Sequence, residues 1–196
     1  MTGQKQHVDL FRKIRLRDKL LKLNTERNPV AYVPFIGDGD LAVRHYSGFR
    51  VYGADLDPER VAIARPRVTG HVIVSDCDIW PFPNVSDTFT VGDFDAYSHP
   101  YRSFRSFWAN TSKADRLILF FTDANRQAIF RTGNGEHPSG KKLKPANVRE
   151  KRLLANFWFK KHVFPWFADY IQPYRVIKKA FYLRAMMLYW GAVIER

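Results

Sequence analysis

Residues 116–122, RLILFFT, hold five apolar side chains in a row, Leu117 to Phe121. Successive side chains of a strand point to opposite faces. A strand-like run without alternation is therefore covered on both faces, the condition of a parallel sheet packed between helices. The chain before it carries the pattern such a sheet requires. Residues 30–36 read as a strand ending in a glycine turn, 40–46 as a short helix and 49–54 as a second strand. Pro58 opens a further helix, at the position where a missing N–H costs nothing. Residues 71–75 and 89–94 read as the third and fourth strands, and 101–110 as a helix before the fifth. Residues 175–183 and 187–194 close the chain as a strand pair. Strands and helices that alternate with short connections imply an α/β fold with a mainly parallel sheet.

Two regions stand apart. Residues 1–28 are expected to hold a basic amphipathic helix over 5–23, with Val8, Phe11, Ile14, Leu20, Leu21 and Leu23 as its apolar stripe. Residues 29–196 form the main domain. Within it, residues 123–145 hold three Gly, two Pro and little periodicity, and read as a flexible flap over a substrate. Residues 146–171 read as a long helical stretch that Pro165 kinks or breaks.

Composition narrows the classes. The 196 residues hold 32 Lys and Arg against 19 Asp and Glu, a formal net charge of +13. A domain this basic meets a polyanion, and nucleic acid, RNA or DNA, is the expected partner. Arg102, Arg105, Arg126, Arg131, Lys141, Lys142 and Lys144 are the candidate phosphate contacts, with Lys151, Arg152, Lys160 and Lys161 on the later helix. No run reaches the roughly 18 apolar residues of a membrane span, so no membrane partner is expected. Cys77 is the only cysteine, which excludes an internal disulfide and a cysteine zinc cluster. No metal site is expected from the six His. The N-terminus has no apolar signal core, so a cytoplasmic location is expected.

The basic chain keeps acids at its strand ends. Asp38, Asp40, Asp55, Asp76, Asp93 and Asp95 all fall at carboxyl ends of expected strands, where open α/β sheets bind ligands. The turn Gly37-Asp38-Gly39-Asp40 allows close backbone approach, yet its two carboxylates repel a phosphate. A cofactor with a cationic amino acid end is the better electrostatic match. S-adenosylmethionine has an ammonium, a sulfonium and a ribose diol.

Four segments resemble the class I S-adenosylmethionine-dependent methyltransferases, in that family's order. IGDGD, residues 36–40, resembles the glycine motif. GADLDPE, residues 53–59, resembles the end of the second strand. SDCDIWPFP, residues 75–83, and FTVGDFDAY, residues 89–97, resemble the third-strand and fourth-strand segments. The resemblance implies a Rossmann-like fold whose closing strand is antiparallel. It implies that Ile36, Gly37, Asp38, Gly39, Asp40, Asp55, Leu56, Asp76, Cys77 and Asp93 bind the cofactor. Asp55 would accept the ribose hydroxyls, and Asp76 and Cys77 would flank the adenine. The chain departs from the family at Phe35, where an acid is usual, and at Leu41, where a glycine is usual; Asp38 or Asp40 is expected to supply the missing carboxylate. DFDAYSHPY, residues 93–101, is similar to the DxDPFGSP segment of the tRNA guanine N2-dimethyltransferases, with Ala96 in place of a proline. PFIGDGD also resembles the turn of N6-adenine DNA methyltransferases.

An exocyclic amine attacks a methyl group well only when its proton is accepted. Asp95 is the expected acceptor and Asp93 the second candidate. Tyr97 or Tyr101 would stack on the base, with His99 beside it. The expected function is methyl transfer to a base nitrogen. The missing recognition domain points to a partner subunit or a homo-oligomer. The main rival is a non-catalytic nucleic-acid-binding protein on a degenerate form of this fold, favoured by Phe35 and Ala96. A protein or small-molecule methyltransferase leaves the charge unexplained. A dinucleotide oxidoreductase is opposed by Asp38 and Asp40.

Overall fold

The computed structural model describes residues 10–96, 98–184 and 187–196. Residues 5–9 of the expected N-terminal helix, and Tyr97, lie outside the described residues. The elements are α1 (Leu10–Leu21), β1 (Val30–Pro34), α2 (Asp40–His45), β2 (Arg50–Asp55), α3 (Pro58–Ala64), β3 (Gly70–Val74), β4 (Thr88–Phe94), α4 (Tyr101–Asn110), β5 (Ser112–Asp123), α5 (Asn125–Thr132), β6 (Gly135–Glu136), β7 (Lys142–Leu143), α6 (Val148–Phe157), α7 (Phe164–Tyr170), β8 (Arg175–Arg184) and β9 (Met187–Glu195). One seven-stranded sheet runs β3-β2-β1-β4-β5-β9-β8. Strands β1 to β5 are parallel, and β9 is antiparallel to both β5 and β8. The expected α/β class, with its antiparallel closing strand, is the architecture observed.

Helices cover both faces of the sheet. On one, Leu16 and Leu20 of α1, Ala42 of α2, and Val61 and Ala64 of α3 pack on Val33, Val51, Val91 and Ile118. On the other, Phe104 and Phe107 of α4, Ile129 of α5 and Phe167 of α7 pack on Tyr32, Phe94, Phe121 and Trp190. Leu117 to Phe121 of β5 are all buried, as an uninterrupted apolar run between two layers must be.

Helix α1 is rotated relative to its expected apolar stripe, of which Leu20 is buried and Leu21 packs against the core. Leu16, Arg17 and Leu20 are buried while Phe11 stands 68% exposed. Arg17 decides this rotation. Its Nε and Nη2 donate to the two oxygens of Asp93 at 2.7 and 2.5 Å, and the Tyr46 hydroxyl donates to Asp93 at 2.6 Å. One turn earlier, Lys13 Nζ reaches both oxygens of Asp95 at 2.6 and 2.8 Å. The docking face of the helix is thus mixed, with Leu16 and Leu20 packed on the core and Lys13 and Arg17 bound to the acidic end of β4.

The segment 123–145, expected as a flexible flap with little periodicity, contains helix α5 and the small β6–β7 ribbon. Asp123 Oδ1 accepts the Asn125 amide ahead of the helix at 2.7 Å, and Gly133 ends it at φ 76°. That left-handed terminator is the glycine stop signal of a helix. The expected break near Pro165 is present in an elaborated form. A π-turn, Trp158–Val163, separates α6 from α7, and Pro165 sits in the first turn of α7. Proline has no N–H to offer a preceding carbonyl, so the helix cannot run straight through.

Arg17→Met leaves the Asp93 carboxylate buried without its cation. Urea unfolding is expected to show a loss of about 3–5 kcal/mol. His45 is the pH-sensitive partner of the same region. Burial, reinforced by the Arg17 charge, pushes its pKa down to about 4. Below pH 6.5 the unfolded chain takes up the proton while the folded imidazole stays neutral, so stability falls as pH drops from about 6.5 toward 4. Melting curves of His45→Gln should lose this part of the acid sensitivity.

Candidate functional site

The carboxyl ends of β1 and β2 form one unit. Behind β1, Gly37 and Gly39 take φ of 55° and 82°, values that a side chain resists. The turn closes on the end of β2: the Gly37 amide donates to Asp55 Oδ2 at 2.9 Å, and the Asp57 amide donates to Oδ1 at 3.0 Å. Each carboxylate oxygen accepts more than one hydrogen bond, so Asp55 keeps acceptor positions for an incoming hydroxyl pair. Leu56 beside it is 68% exposed, and Ile79 beyond the neighbouring strand β3 is 66% exposed. Two open apolar side chains at adjacent strand ends suit the faces of a flat heteroaromatic ring. Ile79 escaped the sequence reading because a single isoleucine between Asp78 and Trp80 carries no periodicity.

The other expected cofactor residues are placed differently. Asp38 and Asp40 lean on arginines: Arg67 donates to the Asp38 carbonyl at 2.5 Å and pairs with the Asp40 carboxylate at 2.8 Å, while Arg60 lies 3.9 Å from the Asp38 carboxylate. Both acids are exposed, and the arginines already answer their charge. Ile36 is buried in the core and offers the site only backbone. Cys77 is also buried, accepting the Phe35 amide at 3.3 Å and donating to the Ala54 carbonyl at 3.4 Å. Its buried thiol ties the ends of β1 and β2 together, which leaves only its backbone to meet a ligand. This contact accompanies the left-handed backbone of Phe35, at φ 59°. Asp76 is exposed and accepts the Asp78 amide at 2.9 Å.

Beyond β4, the two expected proton acceptors are already engaged. Asp93 holds Arg17 and Tyr46. Asp95 holds Lys13, and the charges of Lys13 and Arg17 keep its carboxyl below the ordinary range against the opposing effect of burial. His99 follows in the same loop, half-buried, with Nε2 3.5 Å from Glu136 Oε2. Glu136 also takes the Arg102 fork at 2.9 and 2.6 Å, which lowers its pKa. Asp78 lies 3.9 Å from Arg102, and burial raises its carboxyl. His99, Glu136, Arg102 and Asp78 therefore form a polar cluster contributed by the loop after β3, the loop after β4, helix α4 and strand β6. Glu136 was invisible in the sequence because its ribbon was read as irregular chain.

Tyr101 does not present its ring to a ligand. It is buried, and its hydroxyl donates to Asp123 Oδ2 at 2.6 Å. The same oxygen accepts the Trp158 indole N–H at 2.8 Å. Burial raises the Asp123 carboxyl, and the hydrogen bonds from Tyr101, Trp158 and the Asn125 amide oppose that shift. Among the expected phosphate contacts, Arg102 is paired with Glu136, Arg105 donates to the Pro138 carbonyl, and Arg126 donates to the Ala155 carbonyl at 2.8 Å. Arg131, Lys141, Lys142 and Lys144 are exposed. Among the described residues, no group of three His, Cys, Asp or Glu is placed to hold a metal ion, and no helix is long and apolar enough to cross a membrane.

The sheet order and the turn at Asp55 define the class I methyltransferase fold. An all-parallel dinucleotide-binding sheet has no strand such as β9, reversed between two parallel neighbours. The sequence matches no protein-family model and no curated protein. Solved structures share the fold. The plantazolicin methyltransferase BpumL in complex with SAH matches with a TM-score of 0.58 at 10% identity, over 94% of this chain and 82% of that one. The magnesium protoporphyrin IX methyltransferase ChlM from Synechocystis PCC 6803, with bound SAH, matches with a TM-score of 0.54 at 10% identity, over 95% and 82%. The [4+2]-cyclase SpnF matches with a TM-score of 0.53 at 13% identity, over 93% and 80%. The similarity is one of fold, and a cyclase among these proteins shows that this fold does not fix the reaction.

Burial pushes the Cys77 pKa up to about 12, and a thiolate is the reactive form. Ellman's reagent at pH 8 should therefore leave native Cys77 unmodified and titrate one thiol after unfolding.

Proposed function

We propose that the chain is an S-adenosylmethionine-dependent methyltransferase acting on an anionic acceptor. The observation that carries this reading is the glycine turn hydrogen-bonded to Asp55, set at adjacent strand ends of this sheet. The residues there fit the cofactor. Gly37 and Gly39 leave the backbone open to it, Asp55 has acceptor positions for the ribose diol, and Leu56 and Ile79 offer apolar surface to the purine. When bound, the cofactor supplies a methyl group on a positively charged sulfur. The chain orients the acceptor and removes its proton. His99, with Nε2 3.5 Å from Glu136, is the proton acceptor in this reading, since an imidazole oriented by a neighbouring carboxylate can take a proton from the acceptor. Asp95, neutralised by Lys13, is a positioning group that fixes the loop carrying His99.

The net charge of +13 supports the anionic acceptor. Nucleic acid is the polyanionic form of this reading, supported by that charge and by the exposed Arg131, Lys141, Lys142 and Lys144. The similarity of residues 93–101 to the tRNA guanine N2-dimethyltransferases rests on that segment alone.

Calorimetric titration tests the cofactor. S-adenosylmethionine and S-adenosylhomocysteine should bind with roughly micromolar affinity, NAD should not, and Asp55→Ala should weaken both by about tenfold or more. Unchanged affinity in Asp55→Ala overturns the assignment. With an acceptor in hand, His99→Gln should lower kcat about 10²–10⁴-fold and leave S-adenosylhomocysteine binding intact.

A further inference from the structure

A second cleft opens away from the Asp55 turn, between the π-turn and the β8–β9 pair, and spans about 390 Å³ including the open solvent at its mouth. Its walls are Trp158 and Phe159 of the π-turn, Phe181 and Leu183 of β8, and Leu188 of β9, with Arg126 and Lys160 among the polar groups. Three features mark it as built for a ligand. The π-turn supplies Trp158, Phe159 and Lys160, and such turns recur at functional sites. The side chains of Phe181 and Leu183 are 45% and 46% exposed beside it, although Phe181 sits 5.0 Å from the Phe159 ring. Both ionisable residues in the lining are cationic, and none is acidic. Arg126 is fixed there by the bond from its Nε to the Ala155 carbonyl.

The cleft is level with the carboxyl ends of the strands. Leu183 pairs with Leu188, and Leu188 pairs with Asp123 at the end of β5. Trp158 spans the two regions, forming the cleft wall and donating to Asp123. From β4 to β8 there are three strand spacings, roughly 14 Å at 4.7–4.9 Å each.

We propose that this cleft binds the apolar body of a small organic anion, an aromatic or short acyl carboxylate, whose charge meets Arg126 and Lys160. It is the distal subsite of the acceptor, whose reacting end lies over β4. That last claim rests on the methyltransferase reading; the binding itself does not. A nucleobase fits this lining less well. Its edges carry donors and acceptors, and apart from Asn156 and the two cations the walls would leave them unpaired.

The test is calorimetry with 1-naphthoate and octanoate, with 1-naphthylmethylamine as the cationic control. Both anions should bind and the amine should not. Lys160→Glu and Leu183→Glu, each an exposed position, should weaken the anions about tenfold or more. Both variants should keep the parent melting temperature and S-adenosylhomocysteine affinity. Equal binding of the amine, or unchanged affinity in both variants, overturns the proposal. So does failure of both anions while a single-stranded oligonucleotide binds and Leu183→Glu abolishes it, which would assign the surface to nucleic acid. Failure of both anions with sedimentation showing a dimer that Leu183→Glu dissociates would assign it to a second copy of the chain. Naphthoate binding without S-adenosylhomocysteine binding would keep the cleft and remove the methyltransferase reading; the reverse would remove only the cleft.

Discussion

The buried ion pair between Arg17 and Asp93 is the contact on which the site side of the molecule depends. Asp93 lies inside the sheet near the end of β4, 1% exposed, and a carboxylate there is costly without a partner. Arg17 comes from a helix that precedes every strand in the chain and fills that need with two hydrogen bonds, while Tyr46 adds a third. The pairing rotates α1 and brings Lys13 over Asp95. Together these contacts set the start of the loop that carries His99. A basic helix that could pack on the domain or lie on a phosphate backbone packs on the domain, and clamps the fourth strand.

Much of the fold was legible in the sequence. The uninterrupted run in β5 and the regular alternation before it gave the sheet, because burial on both faces leaves no other composition. The glycine turn was legible because φ of 55° and 82° favours glycine, and Asp55 because the resemblance pointed to the end of β2. What escaped was set by tertiary contacts. The orientation of α1 follows from Asp93, 76 positions away from Arg17. Helix α5 is short and mixed in character, and it is held by Asp123 and Gly133 rather than by an apolar stripe. Tyr101 looked like a stacking platform beside the site, but its hydroxyl serves a buried carboxylate. Ionic and aromatic residues are ambiguous in one dimension, since the same side chain serves a surface or a core.

The acids at the strand ends divide by environment. Asp55 holds only backbone amides and stays ready for a ligand. Asp93 and Asp95 are consumed by cations from α1, and Asp38 and Asp40 are answered by Arg60 and Arg67. Asp123 is satisfied by neutral donors. The strongly basic chain thus neutralises four of its strand-end carboxylates locally, while Asp55 and the exposed Asp76 hold only backbone amides. His99 on the loop after β4, Arg102 of α4 and Glu136 of β6 meet in one polar cluster, so side chains far apart in sequence are brought together.

The placement of β9 bears on how the chain is made. The last strand in sequence lies between β5 and β8, both made earlier. While the chain emerges from the ribosome, β5 keeps an unpaired edge and β8 has no sheet to join. Neither is completed until residues 187–195 arrive and pair with both at once. The edges of β5 and β8 are therefore completed together, once residues 187–195 are available to pair with both. A chain stalled before its final strand exposes the Leu117–Phe121 run along an open edge, a template for aggregation.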